Sequence, residues 1–152
     1  MSNDLLDDLY RELILDHYKQ PRNNVTLPGA NCAADGSNPL CGDQIQITLT
    51  LTDEKVEQIG FTGSGCAISQ ASASMMTEFV QGRSVIDALD GIAAFQTMMT
   101  TSAPTNAVGF DDIDALIGVS KFPARVKCAS LGWKTLEQAL SCLLYTSPSP
   151  RD

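Results

Sequence analysis

The chain has 152 residues, a length that fits one domain around one hydrophobic core. Hydrophobic residues make up 43% and charged residues 18%, which excludes a disordered chain and a membrane protein composition. The formal net charge of -8, without a cluster of lysine and arginine, argues against nucleic acid as a partner.

Hydrophobic patterns predict a helix, a β-hairpin and a second helix in the first half of the chain. Apolar residues recur at helical spacing near the N-terminus until Pro21, and residues 44–52 alternate strictly, as in a half-buried strand. The predicted elements are a helix over 4–20, a loop with a short strand over 22–43, strands over 44–52 and 56–62 that turn at Asp53-Glu54, and a helix over 67–81.

The second half is predicted to be helical. Ser84 and Asp87 resemble a capping box, and Pro123 suits the first position of a helix. The predicted elements are short helices beginning at 84, over 92–99 and over 111–118, and a last helix over 123–140. A sheet followed by a run of helices predicts an α+β fold, with a small antiparallel sheet packed against several helices.

Residues 141–152 differ in character from the rest of the chain. Pro148 and Pro150 each follow a serine, and these pairs prevent regular structure. We therefore predict that residues 1–140 form the domain and that 141–152 are a disordered or foreign tail. Cys142 is accordingly left out of the candidate site.

The five cysteines are interpreted from the expected compartment. No run approaches the roughly 18 apolar residues of a membrane span, and the acidic N-terminus is unlike a signal peptide, so a cytoplasmic location is expected. Because the cytosol keeps thiols reduced, metal binding or thiol chemistry is predicted rather than disulfides. Cys32 is interpreted as structural. His17 is expected to have a surface or packing role.

Three cysteines lie in local contexts that suit a metal ligand. Cys41 and Asp43 are separated by Gly42, which lets the backbone turn tightly so that both converge on one ion. Cys66 immediately precedes a helix, whose dipole and unpaired N–H groups favour a thiolate. Cys128 lies about a right angle or more from the apolar stripe of the last helix, which favours a ligand over a core residue.

Three thiolates and one carboxylate suit tetrahedral zinc. Their excess negative charge calls for nearby cations, and Arg125 and Lys127 flank Cys128. We hypothesise that Arg125 also stabilises a thiolate released from the metal. Without a C-x-x-C pattern, however, the cysteine spacing is equally compatible with buried structural cysteines. Arg125 and Lys127 are equally compatible with ordinary charges on the solvent-exposed side of a helix.

Four segments of the chain resemble the SufU-type members of the IscU/NifU-like iron–sulfur cluster assembly proteins. The segments are Asp16-His17-Tyr18-Lys19-Gln20-Pro21-Arg22-Asn23, Asn38-Pro39-Leu40-Cys41-Gly42-Asp43, Gly63-Ser64-Gly65-Cys66-Ala67-Ile68-Ser69 and Arg125-Val126-Lys127-Cys128-Ala129-Ser130-Leu131. The resemblance extends over about residues 4–140. It implies a SufE/NifU-like α+β fold and zinc bound by Cys41, Asp43, Cys66 and Cys128.

The resemblance also implies a reaction. The residue matching Cys41 accepts sulfur as a persulfide from a SufS-type cysteine desulfurase. A histidine of that partner replaces a zinc ligand and so frees the thiolate to attack. Sulfur then passes to downstream iron–sulfur assembly proteins.

Three departures from IscU-type scaffolds favour a zinc-dependent sulfurtransferase. Lys127 stands where those scaffolds have a histidine, their Leu-Pro-Pro-Val-Lys motif is absent, and the span between Cys66 and Cys128 is longer. Two alternatives remain. The same cysteines would serve a scaffold that binds iron and assembles an iron–sulfur cluster, or zinc would only stabilise the fold of a binding module.

Overall fold

The structure, a computed structural model, confirms the predicted α+β class. It describes the backbone of residues 2–40, 42–105 and 109–146, and within these ranges the side chains of residues 8–142. The elements are helix α1 (Ser2–Lys19), strands β1 (Cys32–Asn38), β2 (Asp43–Thr52) and β3 (Lys55–Ser64), helices α2 (Ala67–Val80) and α3 (Val85–Thr101), a 3-10 helix (Ile113–Lys121), and helix α4 (Pro123–Thr146). None of the helices in these ranges is long and apolar enough to cross a membrane.

The three strands pair antiparallel in the order β1-β2-β3. Asp53 and Glu54 form the predicted turn between β2 and β3, and both have positive φ, as the favoured two-residue hairpin turn requires. The alternating apolar residues of β2 are buried, as predicted: Ile45, Ile47, Leu49 and Leu51. The register sets Asn38 opposite Asp43 and Gln44 opposite Ser64, so β1 and β3 end where β2 begins.

Helix α4 packs across β1 and β2 and also against α2. Trp133 of α4 is fully buried and stacks on Phe95, with ring centroids 4.5 Å apart. Its indole N–H donates to Ser72 Oγ of α2 at 3.0 Å, and Ser72 donates to the Ala129 carbonyl at 2.6 Å. These contacts hold α2 and α4 in one position, and the two helices carry or adjoin two of the predicted ligand cysteines.

Helix α3 corrects the prediction of two short helices. It is one continuous helix over Val85–Thr101, with Gly91 buried in its middle. A side chain at Gly91 would collide with the ring of Phe79, so this glycine permits close helix packing and does not end a helix. The short helix predicted over 111–118 is the 3-10 helix Ile113–Lys121.

The C-terminal helix is longer than predicted, and it carries a disulfide that the sequence interpretation excluded. α4 continues beyond residue 140 to Thr146 and runs beside β1. It brings the Cα of Cys142 within 5.7 Å of the Cα of Cys32, and their sulfurs are bonded. Leaving Cys142 out of the packed domain was therefore wrong. The foreign origin of 141–152 stays a prediction, and the two Ser-Pro pairs lie outside the described residues.

Replacing Ser84 with alanine is expected to lower the free energy of unfolding by about 1 kcal/mol. Ser84 is the N-cap of α3, and its Oγ accepts the backbone N–H of Asp87 at 3.0 Å. Urea denaturation monitored by circular dichroism measures the change. Ser37→Ala, at an exposed position of β1, is the control and should change stability by less than about 0.5 kcal/mol. Equal stability of the two variants would contradict the capping role.

Candidate metal centre

Three residues far apart in the chain meet at one end of the sheet. Asp43 begins β2, Cys66 is the N-cap of α2, and Cys128 lies in the second turn of α4. One carboxylate oxygen and the two sulfurs all lie within 4.8 Å of one another. The structure thus brings together three of the four residues predicted to bind zinc. The fourth, Cys41, lies outside the described residues.

Asp43 is buried, and a hydrogen bond fixes the orientation of its carboxylate. Its side chain is 1% exposed, and Oδ1 accepts the backbone N–H of Cys66 at 3.0 Å. Oδ2 is also buried but has no hydrogen-bond partner among the described residues. A buried carboxylate oxygen without a partner is costly, and a cation beside it removes that cost. The chemistry of Asp43 therefore fits a metal ligand.

Gly65 allows this close approach between Asp43 and Cys66. A side chain at position 65 would collide with Oδ1 of Asp43 and with Oγ of Ser69. Ser69 in turn donates to the carbonyl of Cys66 at 3.2 Å. A glycine at position 65 is therefore needed so that the carboxylate can reach the start of α2.

The two described thiols differ in exposure. Cys66 is exposed, whereas Cys128 is 4% exposed and donates to the carbonyl of Ala124 at 3.6 Å. Two sulfurs and one carboxylate oxygen at this spacing offer three of the four ligands of a tetrahedral zinc ion, with metal–ligand distances of about 2.0–2.3 Å. The residues present thus fit zinc, with the protein covering one side of the site and solvent reaching the other.

Arg125 lies beside the two thiols, on the exposed surface. It lines a cavity of about 270 Å³ together with Cys66 and Cys128. The same arginine also borders a larger apolar groove of about 570 Å³, which Leu15 and Phe122 help to line. A cation at this place can attract the negative charge of a thiolate. Lys127, the other flanking cation, is exposed and does not line the cavity.

A family model described as the NifU-like N terminal domain matches residues 9–143. The chain belongs to this family. A NifU-like relative from Bacillus subtilis, named zinc-dependent sulfurtransferase SufU, is 47% identical over 136 residues, which cover 90% of this chain and 92% of the relative. Another, from Streptococcus pyogenes, is named iron–sulfur cluster assembly scaffold protein IscU; it is 38% identical and covers 92% of this chain and 87% of its own length.

Solved structures show the same NifU-like fold. A Fervidobacterium islandicum protein, described as an assembly scaffold for the SUF system, superposes with a TM-score of 0.79 at 33% identity; the match covers 85% of this chain and 94% of that one. The N-terminal part of a NifU-like protein from Brucella abortus gives a TM-score of 0.85 at 22% identity, which bears on the fold alone, with 93% and 98% covered. The predicted fold and family are thus confirmed.

One cluster of chemically capable residues was not predicted from the sequence. His17 was assigned a surface or packing role, and its ring is in fact 1% exposed. It faces Glu78 of α2 and Asp112 of the loop before the 3-10 helix, and ligand atoms of all three lie within 4.8 Å of one another. Glu78 follows His17 by 61 positions and Asp112 follows Glu78 by 34, so no local spacing in the sequence indicates that the three meet. Cys32, interpreted as structural, is buried in the core.

Proposed function

We propose that this chain is a zinc-dependent sulfurtransferase of iron–sulfur cluster biogenesis that works in the cytoplasm. Asp43, Cys66 and Cys128 would hold the zinc, with Cys41 as the fourth ligand. The observation that carries the proposal has two parts: a carboxylate oxygen of Asp43 lies within 4.8 Å of the Cys66 and Cys128 sulfurs, and the buried Oδ2 of the same carboxylate lacks a hydrogen-bond partner in the described ranges. The 47% identity to a relative named zinc-dependent sulfurtransferase supports the same conclusion.

Cys41 is the residue proposed to accept sulfur. When bound, zinc would keep the surrounding thiols deprotonated and restrain their reactivity. The Cys41 thiolate attacks the outer sulfur of the persulfide on a SufS-type cysteine desulfurase. A new S–S bond forms on Cys41, the S–S bond of the desulfurase breaks, and its cysteine leaves as a thiolate. The exchange needs no external oxidant, because one persulfide replaces another.

The flanking residues support this chemistry. Leu40, directly before Cys41, is 79% exposed, and Gly42, directly after it, has a φ of +72°. An exposed approach on one side and a tight turn on the other suit a thiol that must leave the metal and meet a partner protein. A second exchange with a thiol of a downstream assembly protein would return Cys41 to the thiolate and deliver the sulfur.

The deciding experiment is mass spectrometry of the chain after anaerobic incubation with a SufS-type desulfurase and cysteine. We expect one added sulfur atom on the peptide that contains Cys41, and its removal by a thiol reductant. Omitting cysteine is the matched control. Addition only to peptides that contain Cys66 or Cys128, or no addition at all, would contradict the proposal.

The alternative function is a scaffold on which a cluster is assembled. It is favoured by the relatives named as IscU scaffolds, since the same sulfurs could bind iron. Anaerobic purification distinguishes the two. One bound zinc without a visible cluster absorption supports sulfur transfer, whereas a stable chromophore that disappears with a Cys128→Ser change supports the scaffold.

Replacing Arg125 with alanine is expected to slow sulfur acceptance up to about fivefold while zinc content stays the same. The reason is that an exposed cation beside a thiolate contributes about 1 kcal/mol. Stopped-time mass spectrometry measures the rate, and metal analysis measures the zinc. Lys127→Ala removes the same charge from a residue outside the cavity and should have a smaller effect. An Arg125→Ala protein with normal zinc and a normal rate would contradict this positioning role.

A further inference from the structure

His17 of α1, Glu78 of α2 and Asp112 of the loop before the 3-10 helix form a second cluster of three potential ligands. The Nε2 atom of His17 lies 3.7 Å from Oε1 of Glu78 and 3.9 Å from Oδ2 of Asp112. Both distances exceed the usual hydrogen-bond length of about 3 Å. Nε2 therefore points between two carboxylates without a hydrogen bond to either.

The other nitrogen of the ring is fixed by the protein. Nδ1 of His17 shares a hydrogen bond with Ser74 Oγ at 2.7 Å, and the same Oγ accepts the backbone N–H of Arg22 at 2.8 Å. Metal binding at Nε2 requires the tautomer in which Nδ1–H donates to Ser74 Oγ, which leaves the lone pair of Nε2 available. Histidines that bind metals are commonly oriented in this way by a partner of their second nitrogen.

Charge favours a cation in this cluster. Burial, followed by the neighbouring Arg22, lowers the pKa of His17 below its usual value, so the imidazole is neutral near pH 7. The two carboxylates are about half exposed. Arg22 approaches Oε2 of Glu78 at 3.9 Å and leaves Oε1 facing His17. A divalent ion would neutralise the two facing carboxylates.

The surroundings provide access and room for water ligands. A polar cavity of about 320 Å³ adjoins the cluster and is lined in part by Glu78, Asp111 and Asp112. Ligands of one ion at about 2.1 Å lie roughly 3.0–3.4 Å apart. The Glu78 and Asp112 oxygens, at 3.7 and 3.9 Å from Nε2, would need to approach it by roughly 0.3–0.9 Å to reach that spacing.

We propose that His17, Glu78 and Asp112 form a second metal site, which binds a first-row divalent cation. One imidazole and two carboxylates prefer Mn²⁺, Fe²⁺, Co²⁺ or Zn²⁺ and leave positions open for water. The sulfur-rich centre shares none of these residues. The proposal is therefore independent of sulfur transfer, and its failure would leave the proposed function intact.

The test uses the full chain, loaded with one equivalent of zinc and freed of excess metal, then titrated anaerobically with Co²⁺. We expect one Co²⁺ per chain with weak visible absorption and no sulfur-to-cobalt charge-transfer band. His17 is the only histidine, so its ring signals in a ¹H–¹⁵N spectrum report directly on the site. We expect these ring signals to shift or broaden, through the paramagnetism of Co²⁺, at the Co²⁺ concentrations at which the weak visible absorption appears.

Surface variants make the assignment specific without removing the buried histidine. Asp112→Asn and Glu78→Gln are each expected to weaken Co²⁺ binding at least about tenfold. Asp111→Asn removes the same charge one residue away and should leave the affinity within about twofold. Any of three results would overturn the second site. They are Co²⁺ binding only with a charge-transfer band, His17 ring signals that do not change, or an equal loss of Co²⁺ affinity in Asp111→Asn and Asp112→Asn.

Discussion

Replacing Cys41 with serine is expected to reduce sulfur acceptance at least about 100-fold. A serine hydroxyl without a neighbouring base is too weak a nucleophile to attack a persulfide, whereas a thiolate attacks it readily. Zinc should remain bound but more weakly, since Asp43, Cys66 and Cys128 still offer three ligands within 4.8 Å of one another. Mass spectrometry of persulfide and the desulfurase rate with this chain as acceptor measure the loss.

Leu40→Ala is the matched control for this change. Leu40 adjoins Cys41 and is exposed, so its truncation alters the same segment without removing a nucleophile. It should retain persulfide formation on Cys41. A Cys41→Ser protein that still stimulates the desulfurase fully would contradict the role of Cys41 as the acceptor.

Replacing Asp43 with alanine is expected to weaken zinc binding at least about 100-fold. The change removes the oxygen ligand, and it also removes the Oδ1 acceptor that holds the N–H of Cys66 at 3.0 Å. Loss of supporting hydrogen bonds around a metal alone commonly costs 10–100-fold in affinity. Competition with a zinc-binding dye measures the dissociation constant.

Two variants separate the roles of Asp43. Asp43→Asn keeps an oxygen acceptor for Cys66 but removes the charge, so it should bind zinc more tightly than Asp43→Ala and more weakly than the unchanged chain. Asp35→Ala removes an exposed carboxylate from β1 and should leave zinc affinity unchanged. Normal zinc affinity in Asp43→Ala would reject this residue as a ligand.

The β-hairpin and the cap of α3 were predictable because their signals are local. Strict alternation places Ile47 and Leu49 on one face, and the two-residue turn sets the first pairs of β2 and β3 before the register shifts between Thr50 and Leu51. Ser84 caps its helix through an atom three residues away. Such contacts involve neighbours in the chain, so periodicity and residue type are sufficient to find them.

The longer elements were harder to predict because packing overrode the local signals. Two short helices were predicted between residues 84 and 99, yet α3 is continuous, and Gly91 in its middle lacks the side chain that would collide with the ring of Phe79. Cys142 lies in a segment with a foreign composition, yet the helix extends and brings it to Cys32. Both outcomes depend on a partner more than ten residues away, which no local pattern contains.

Glycines, a helix start and a position off the apolar stripe mark Asp43, Cys66 and Cys128 locally as candidates. The spacing was equally compatible with structural cysteines, so the family resemblance was needed to select this set. Their meeting within 4.8 Å, the hydrogen bond from the Cys66 N–H to Asp43 and the buried oxygen without a partner emerged only from the folded chain. The cluster around His17 left no mark in the sequence at all. Distances between side chains on separate elements depend on how the helices pack on the sheet. That packing results from many contacts between residues far apart in the chain.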